Sequence, residues 1–291
     1  MRGLEEIMNH NIRYLWLPGS SYIPIPSNLE AWKRSRRLEN NLMQIIEKRK
    51  DRGSYGDDLL GLILSETGKF SSDDKNISNK QQQVMDECKA FFLGGRETTS
   101  VLISWTILLL ALNQDWQQKA HEEATAICGN GNPNMDYLGK LKIIGMILNE
   151  TLRLYPPVVG VARQAFKELR LRDDFIIPKG VNVVGDILSV HRDPRYWGND
   201  ANEFRPERFR DGISKATSNH PYAFIPFSGG PRACIGQNYA LLETKVVVTM
   251  IVKRFRFSVS SRYRHAPAAF LTLNPQHGMP IMVESIECSA Y

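Results

Sequence analysis

Cys234 stands in FSGGPRACIG, residues 227–236, with Arg232 two positions ahead and Gly229, Gly230 and Gly236 around it. A thiolate that is to bind a metal needs neighbours that lower its pKa without offering a competing base, and backbone N–H groups at a helix start do this. The three glycines let the backbone come close to a flat ligand and turn its amides toward the sulfur. One cysteine cannot hold zinc by itself. It can be the only protein ligand of a haem iron, where an anionic sulfur pushes electron density toward the metal and favours O–O cleavage. Read from this loop alone, a buried structural cysteine beside a turn fits as well.

Two further groups of residues could do chemistry. In ETLR, residues 150–153, Glu150 and Arg153 lie one turn apart on an otherwise apolar helix, so their charges can meet on one face. Such a pair is ordinarily solvated, but the flanking ILNETLRLYPP argues for burial, where an arginine wants a second planar partner. Arg208 in FRPERF, residues 204–209, offers itself for that cluster. In FFLGGRETTS, residues 91–100, Gly94 and Gly95 interrupt a long helical pattern, at a cost of roughly 1 kcal/mol each relative to alanine. A ligand pressed against the backbone would explain them, and Glu97 beside Thr98 is the acid and hydroxyl that a proton relay to bound dioxygen needs. The alternative is a glycine packing contact next to a surface acid.

The elements that must position these groups are mostly helical at the front and mixed at the back. Residues 11–26 read as an aromatic, proline-punctuated loop, closed by Ser27-Asn28 as the cap of a charged helix to about Arg52. DDLLGLILSET is a short amphipathic piece, and a long helix follows from about Ser78 to Asn113. DWQQKAHEEATAICG begins another. Residues 136–155 have one helical periodicity that must stop at Pro156-Pro157. FIIPKGVNVVGDILSVHRD alternates as short strands do, and GISKATSNHPYAF reads as an irregular linker. A last helix, NYALLETKVVVTMIVKRF, leads to strands around FRFSVS, AFLTLNP and MPIMVES. The fold class is mainly α with small β-sheets.

Composition narrows the function. With 291 residues, 42% of them hydrophobic, the chain can bury a substantial core. The net charge of +6 comes without a basic run interleaved with aromatics, so no nucleic acid is expected, and an acidic protein partner or an anionic membrane fits better. Cys88, Cys128, Cys234 and Cys288 are scattered and form no CxxC, which argues against a disulfide framework or zinc cluster and for a reducing compartment. MRGLEEIMNHNIRYLW carries neither the apolar core of a signal peptide nor the length of a spanning helix.

Together these residues resemble the cytochrome P-450 superfamily, the haem-thiolate monooxygenases. FSGGPRACIG matches the family's F-x-x-G-x-R-x-C-x-G at every fixed position. GGRETT matches its oxygen-activation motif, ETLR its E-x-x-R, and PERF the element that completes a Glu-Arg-Arg cluster. The resemblance implies heme b bound with Cys234 as the iron ligand, Arg232 and Arg163 as propionate partners, and Phe227, Gly94 and Gly95 shaping the pocket. It implies Glu97 and Thr98 as the proton-delivery pair, with the charge of Arg96 facing away, and Glu150, Arg153 and Arg208 as a structural lock. His191 is read as a loop residue making hydrogen bonds, not as a second ligand.

NHPYAFIPFSGGPRACIGQNYALLETK and HRDPRYWGNDANEFRPERF are most similar to plant microsomal members, within the clan that oxidises hormones and terpenoids. The implied partners are an NADPH-cytochrome reductase, a hydrophobic small-molecule substrate, and a membrane touched by residues 14–26. The implied location is the cytosolic face of the endoplasmic reticulum. The resemblance covers residues 1–291 as a partial domain: an entrance-loop region at 1–26, the oxygen-activation helix at 78–113, the E-x-x-R helix at 136–155, and the cysteine loop and its helix at 220–257. It matches the back part of the family, so the anchor and front helices are expected to be missing and the chain alone to bind haem loosely and to be inactive. Three readings stay open: a monooxygenase; an oxygen-independent isomerase or dehydratase of fatty-acid hydroperoxides, against which GGRETT counts; and a non-catalytic fragment with an interaction or regulatory role.

Overall fold

Helices occupy most of the first half of the chain and four small antiparallel strand pairs are threaded through the second, in a computed structural model that describes residues 19, 22–51, 55–68, 77–129, 131–172 and 174–286. Two compact units divide it, residues 1–97 and 98–291, and the boundary falls within one continuous helix.

In the first unit, α1 runs Pro26–Asp51 and α2 Leu59–Gly68. The expected cap at Ser27-Asn28 is not the start: α1 begins at Pro26, whose fixed φ suits a first helical position, and the Asn28 side chain donates to the Ile23 carbonyl at 2.7 Å. Asp58 heads α2 instead, its carboxylate accepting the Gly61 N–H at 2.9 Å while Arg49 pairs with it from the end of α1. That pairing, led by the Arg49 hydrogen bond, holds Asp58 below the usual carboxylate range. Ile46, Leu64, Val84 and Met85 form this unit's own core.

Helix α3, Ile77–Leu112, continues through Gly94-Gly95 into the second unit. Most of its apolar run 101–112 is buried: Val101, Leu102, Trp105, Leu108, Leu109, Leu110 and Ala111 lie in the interior, while Leu112 is exposed. Helix α4, Gln114–Cys128, turns Trp116, Ala120 and Ala124 toward the same core.

The expected single helix over 136–155 is two pieces. One turn, Met135–Leu138, is capped by Asn134, which accepts the Tyr137 N–H at 3.1 Å, and Gly139 and Lys140 form a turn before α5, Lys142–Leu154. The first N–H groups of α5 have no partner within the helix. Glu123 of α4 supplies one, its two carboxylate oxygens accepting from Ile143 at 2.7 Å and Ile144 at 2.9 Å. Helix α5 ends at Leu154, before Pro156-Pro157, as expected. Ile144, Ile147 and Leu148 pack with α4 and with Val248 and Val252 of α6, Gln237–Arg254.

Strands β1 (Gly160–Gln164) and β4 (Asn182–Asp186) pair antiparallel with Arg163 opposite Val183; β2 (Leu169–Arg172) pairs with β3 (Phe175–Ile177). The alternation expected through ILSVH does not continue as strand. Asp186 accepts the Ser189 N–H at 3.0 Å and caps a helical turn, Ile187–His191. The linker at GISKATSNHPYAF likewise contains one helical turn, Ile213–Ala216. After α6, β5 (Phe255–Val259) pairs with β8 (Ile281–Ser285), and β6 (Pro267–Ala269) with β7 (Leu273–Pro275). The Gln117 side-chain amide fixes β5 to α4: it donates to the Phe257 carbonyl at 2.8 Å and accepts the Phe257 N–H at 2.9 Å. Trp105 donates its ring N–H to the Leu273 carbonyl at 2.6 Å and stacks on Tyr155 with ring centres 4.3 Å apart.

Candidate active site

The segment that carries Cys234 is a tight loop between the Phe224–Phe227 chain and α6. Phe227 anchors its start, packing half-buried against Leu102, Leu152, Trp197, Phe209 and Phe224. Gly230 has φ +69°, a backbone conformation that a Cβ opposes, and opens a single 3-10 turn, Gly230–Arg232. The Cys234 N–H then donates to the Phe227 carbonyl at 2.9 Å and closes the loop. These constraints leave the cysteine exposed, three residues before α6. The alternative of a buried structural cysteine is thereby excluded.

Arg163 reaches this loop from β1. Its Nη2 donates to Ser228 Oγ at 3.3 Å and its Nη1 to the Ala162 carbonyl at 2.8 Å, with the rest of the guanidinium exposed. Arg232 is exposed on the 3-10 turn. A Cβ built at Gly230 or Gly236 meets nothing within 4 Å. Ile235, Tyr239 and Leu242, next to the cysteine and along one side of the following helix, are apolar and exposed. An accessible thiol, open space over Gly230 and Gly236, apolar neighbours and two arginines form a donor set that fits a flat, largely apolar, dianionic group such as haem.

Gly94, Gly95 and Glu97 close the first unit and Thr98 opens the second. Both glycines are exposed, with nothing within 4 Å of a built Cβ, and Glu97 is 6% exposed. Glu97 is therefore not the surface acid of the alternative reading. Arg96 is exposed.

Glu150, Arg153 and Arg208 do come together. Glu150 and Arg153 are fully buried on α5, and Arg153 uses all five of its N–H groups. Nε and Nη2 donate to the two Glu150 oxygens, each at 2.8 Å. Nη1 donates to the His191 carbonyl at 2.9 Å and the Ala201 carbonyl at 2.5 Å, and Nη2 also to the Glu203 carbonyl at 3.0 Å. Trp197 lies 5.0 Å from the guanidinium carbon. The buried charge is thus paired and saturated with acceptors, the condition under which such a pair is tolerated. Arg208 Nε approaches Glu150 Oε1 at 3.4 Å without hydrogen-bonding geometry.

The direct carboxylate of Arg208 is Asp200, which no sequence motif singled out. Nη1 of Arg208 donates to Asp200 Oδ1 at 2.9 Å and to the Trp197 carbonyl at 3.1 Å, and Nη2 to the Asp200 carbonyl at 2.5 Å. Arg205 also pairs with Asp200, and its backbone N–H donates to Glu150 at 2.9 Å. Arg208 foremost, and then Arg205, hold the Asp200 carboxyl below its ordinary range.

His191 makes hydrogen bonds, as expected, but it is no loop residue: it ends the helical turn Ile187–His191 and is fully buried. Its Nε2 accepts the Ile225 N–H at 2.9 Å, at the start of the cysteine segment, while Nδ1 is buried without a hydrogen bond. Burial pushes its pKa down to about 4, against a weaker opposing pull from the Leu152 and Arg153 carbonyls. The ring is therefore neutral at physiological pH and serves as an acceptor that holds the cysteine segment to the lock.

The family sequence profile of cytochrome P450 matches residues 1–279, and the chain belongs to that family. Cytochrome P450 709B1 of Arabidopsis thaliana is 42% identical over 287 residues, covering 98% of this chain and 54% of the relative. Echinocystic acid 23-monooxygenase of Saponaria officinalis is 44% identical over 288 residues, with 96% and 55% covered. A cytokinin hydroxylase of Arabidopsis thaliana is 41% identical over 292 residues, with 98% and 55% covered. The chain spans about half the length of the curated relatives it matches. The family implies a haem cofactor. Among the described residues no helix is long and apolar enough to cross a membrane, and no group of three or more His, Cys, Asp or Glu side chains could hold a metal ion.

Proposed function

We propose that this chain holds heme b through Cys234 as part of a monooxygenase that hydroxylates a hydrophobic or amphipathic small molecule. The observation that carries the reading is the cysteine loop itself: an exposed thiol beside open glycines, with Arg163 and Arg232 at hand to bind the two carboxylates. Haem supplies, when bound, the reduction and splitting of dioxygen with insertion of one oxygen atom into a C–H bond. The protein's own residues bind, orient and protonate. Phe227 fixes the loop in the core, Gly94 and Gly95 leave room beside α3, and the buried Glu97 carboxyl and the Thr98 hydroxyl pass a proton toward the reacting oxygen at Thr98 Oγ1. Glu150, Arg153 and Arg208 hold the scaffold.

Electrons come from an NADPH-cytochrome reductase. Relatives named for a cytokinin and for echinocystic acid favour a hormone-like or terpenoid substrate over a fatty-acid type. Location at the cytosolic face of the endoplasmic reticulum belongs to the same proposal, with peripheral contact through residues 14–26. Of that stretch Tyr22 and Ile23 are exposed, at 83% and 53%, whereas Trp16 lies outside the described residues. A reduced, CO-bound difference spectrum tests the proposal: Cys234→Ser must abolish the thiolate-type band that the unaltered chain gives, and Cys88→Ser or Cys128→Ser must leave it. Retention of the band in Cys234→Ser refutes the assignment.

A further inference from the structure

Ser228 is a serine where the backbone asks for glycine. Its φ is +61°, in the left-handed region that side chains with a Cβ avoid, and it lies two residues from Gly230 at φ +69°. Elsewhere among the described residues only Ser218 and Asn219, in the turn after Ile213–Ala216, share that sign without being glycine. Ser228 is also fixed on its backbone side, its N–H donating to the Ile225 carbonyl at 3.0 Å. Glycine there would keep the same turn and relieve the strain. What glycine would lose is the hydroxyl, and that hydroxyl has one definite partner. Ser228 Oγ accepts from Arg163 Nη2 at 3.3 Å, across 65 residues of sequence.

The second anchor of the guanidinium is local, Nη1 to the Ala162 carbonyl at 2.8 Å. Two anchors on different nitrogens fix the plane of the fork. With only the Ala162 contact, the exposed side chain would pivot about one bond. A planar fork recognises a carboxylate well only when its orientation is set before the ligand arrives.

We propose that Ser228 is a positioning residue for carboxylate recognition: its hydroxyl, kept at the expense of a strained backbone, orients Arg163 of β1 over the cysteine loop so that the remaining N–H groups meet a carboxylate of the bound porphyrin. The inference rests on the haem reading above. It predicts that the serine matters for the ligand's carboxylates and not for the stability of the loop.

The test uses the whole chain prepared without haem, titrated with haemin and with haemin dimethyl ester and followed by absorbance. Ser228→Ala should weaken haemin binding about 3- to 10-fold, Arg163→Ala about 10-fold or more, and the double variant no more than Arg163→Ala alone. The dimethyl ester, which carries no carboxylate charge, should bind all four proteins alike. Ser228→Gly should lose haemin affinity as Ser228→Ala does, yet unfold at a higher urea concentration than Ser228→Ala, a readout that needs no ligand.

Several results overturn the inference. A Ser228→Ala loss that persists in the Arg163→Ala background would mean that the serine acts apart from the arginine. Equal weakening toward the ester would mean that it shapes the loop and not the carboxylate contact. A Ser228→Gly midpoint no higher than that of Ser228→Ala would remove the strain that the proposal requires. Arg163→Ala weakened beside an unaltered Ser228→Ala sinks this inference alone. Unchanged affinity in Arg163→Ala also sinks this inference, since the arginine then meets no carboxylate, whereas no saturable haemin binding by the wild-type chain sinks the underlying haem reading with it.

Discussion

Arg153→Lys keeps the charge at the centre of the buried cluster and removes the fork. The arginine donates five hydrogen bonds, two to Glu150 and three to the carbonyls of His191, Ala201 and Glu203. An ammonium has three N–H groups, so at least two of these five acceptors lose their partner, and neither side chain of the pair has water to fall back on. At about 1.5–3 kcal/mol for each hydrogen bond to a charged group, the loss is about 3–6 kcal/mol, in the range seen when a buried ion pair is broken. Set against a total of about 5–15 kcal/mol for a typical domain, that is enough to leave much of the chain unfolded at room temperature. Arg208→Lys provides the internal control. Its side chain keeps 12% exposure and a lysine can still reach Asp200, so about 1–2 kcal/mol is expected. Urea titration followed by far-UV circular dichroism measures both. Arg153→Lys within about 1 kcal/mol of the unaltered protein, or no worse than Arg208→Lys, would refute the saturated fork.

His191 should make stability fall with acid. Its folded pKa is depressed to about 4 from the ordinary 6.5, so the unfolded chain binds the extra proton first, and the contribution, complete above pH 6.5, is lost as pH falls toward 4. The gap corresponds to about 3 kcal/mol, and urea midpoints across that window should be flatter in His191→Gln. Glu123→Ala should cost about 1–2 kcal/mol by stripping the first turn of α5 of its acceptors, read as a lower thermal midpoint, whereas Glu123→Gln keeps an acceptor and should cost less. In a full-length enzyme carrying this sequence, Thr98→Ala should keep consuming NADPH while forming less product per electron, because oxygen is still reduced while the proton arrives wrongly; unchanged coupling would place the relay elsewhere.

What could be read from the sequence was whatever is written in short spacing. Glu150 and Arg153 are three apart on a helix whose other residues are apolar, so their pairing and burial followed from periodicity. The cysteine loop followed from its glycines and proline. What escaped was decided over distance or by turn geometry. Asp200 reaches Arg208 because Gly198, at φ +79°, reverses the chain ahead of it, and nothing in GNDANEF says which arginine its carboxylate will find. Glu123 caps a helix that starts about 20 residues later, and Arg163 meets a serine 65 residues on. The break at Gly139 had its signal in the glycine, but the apolar pattern on both sides stays in phase across it and hides it. In the same way, alternation through VVGDILSV masked the Asp186 cap, because β4 and the helical turn after it both draw on Val, Ile and Leu.

The bond between Gln117 and Phe257 closes a loop of 140 residues, and that between Trp105 and Leu273 one of 168. Both are made by single side chains to backbone groups that exist only once the last strands have been synthesised. At roughly 5–20 residues per second, a ribosome spends about 7–30 seconds between making residue 117 and making its partner. Through that interval the amide of Gln117 can reach only its local partners, Leu110 and Gln114, the indole N–H of Trp105 lacks its Leu273 acceptor, and the apolar stripe of α3 that β7 and its neighbours will cover waits open. Closing such loops is the slow class of folding event, so the strand pairs at 255–285 set the pace: the apolar stripe of α3 is the part of the nascent chain that stays uncovered until they have emerged.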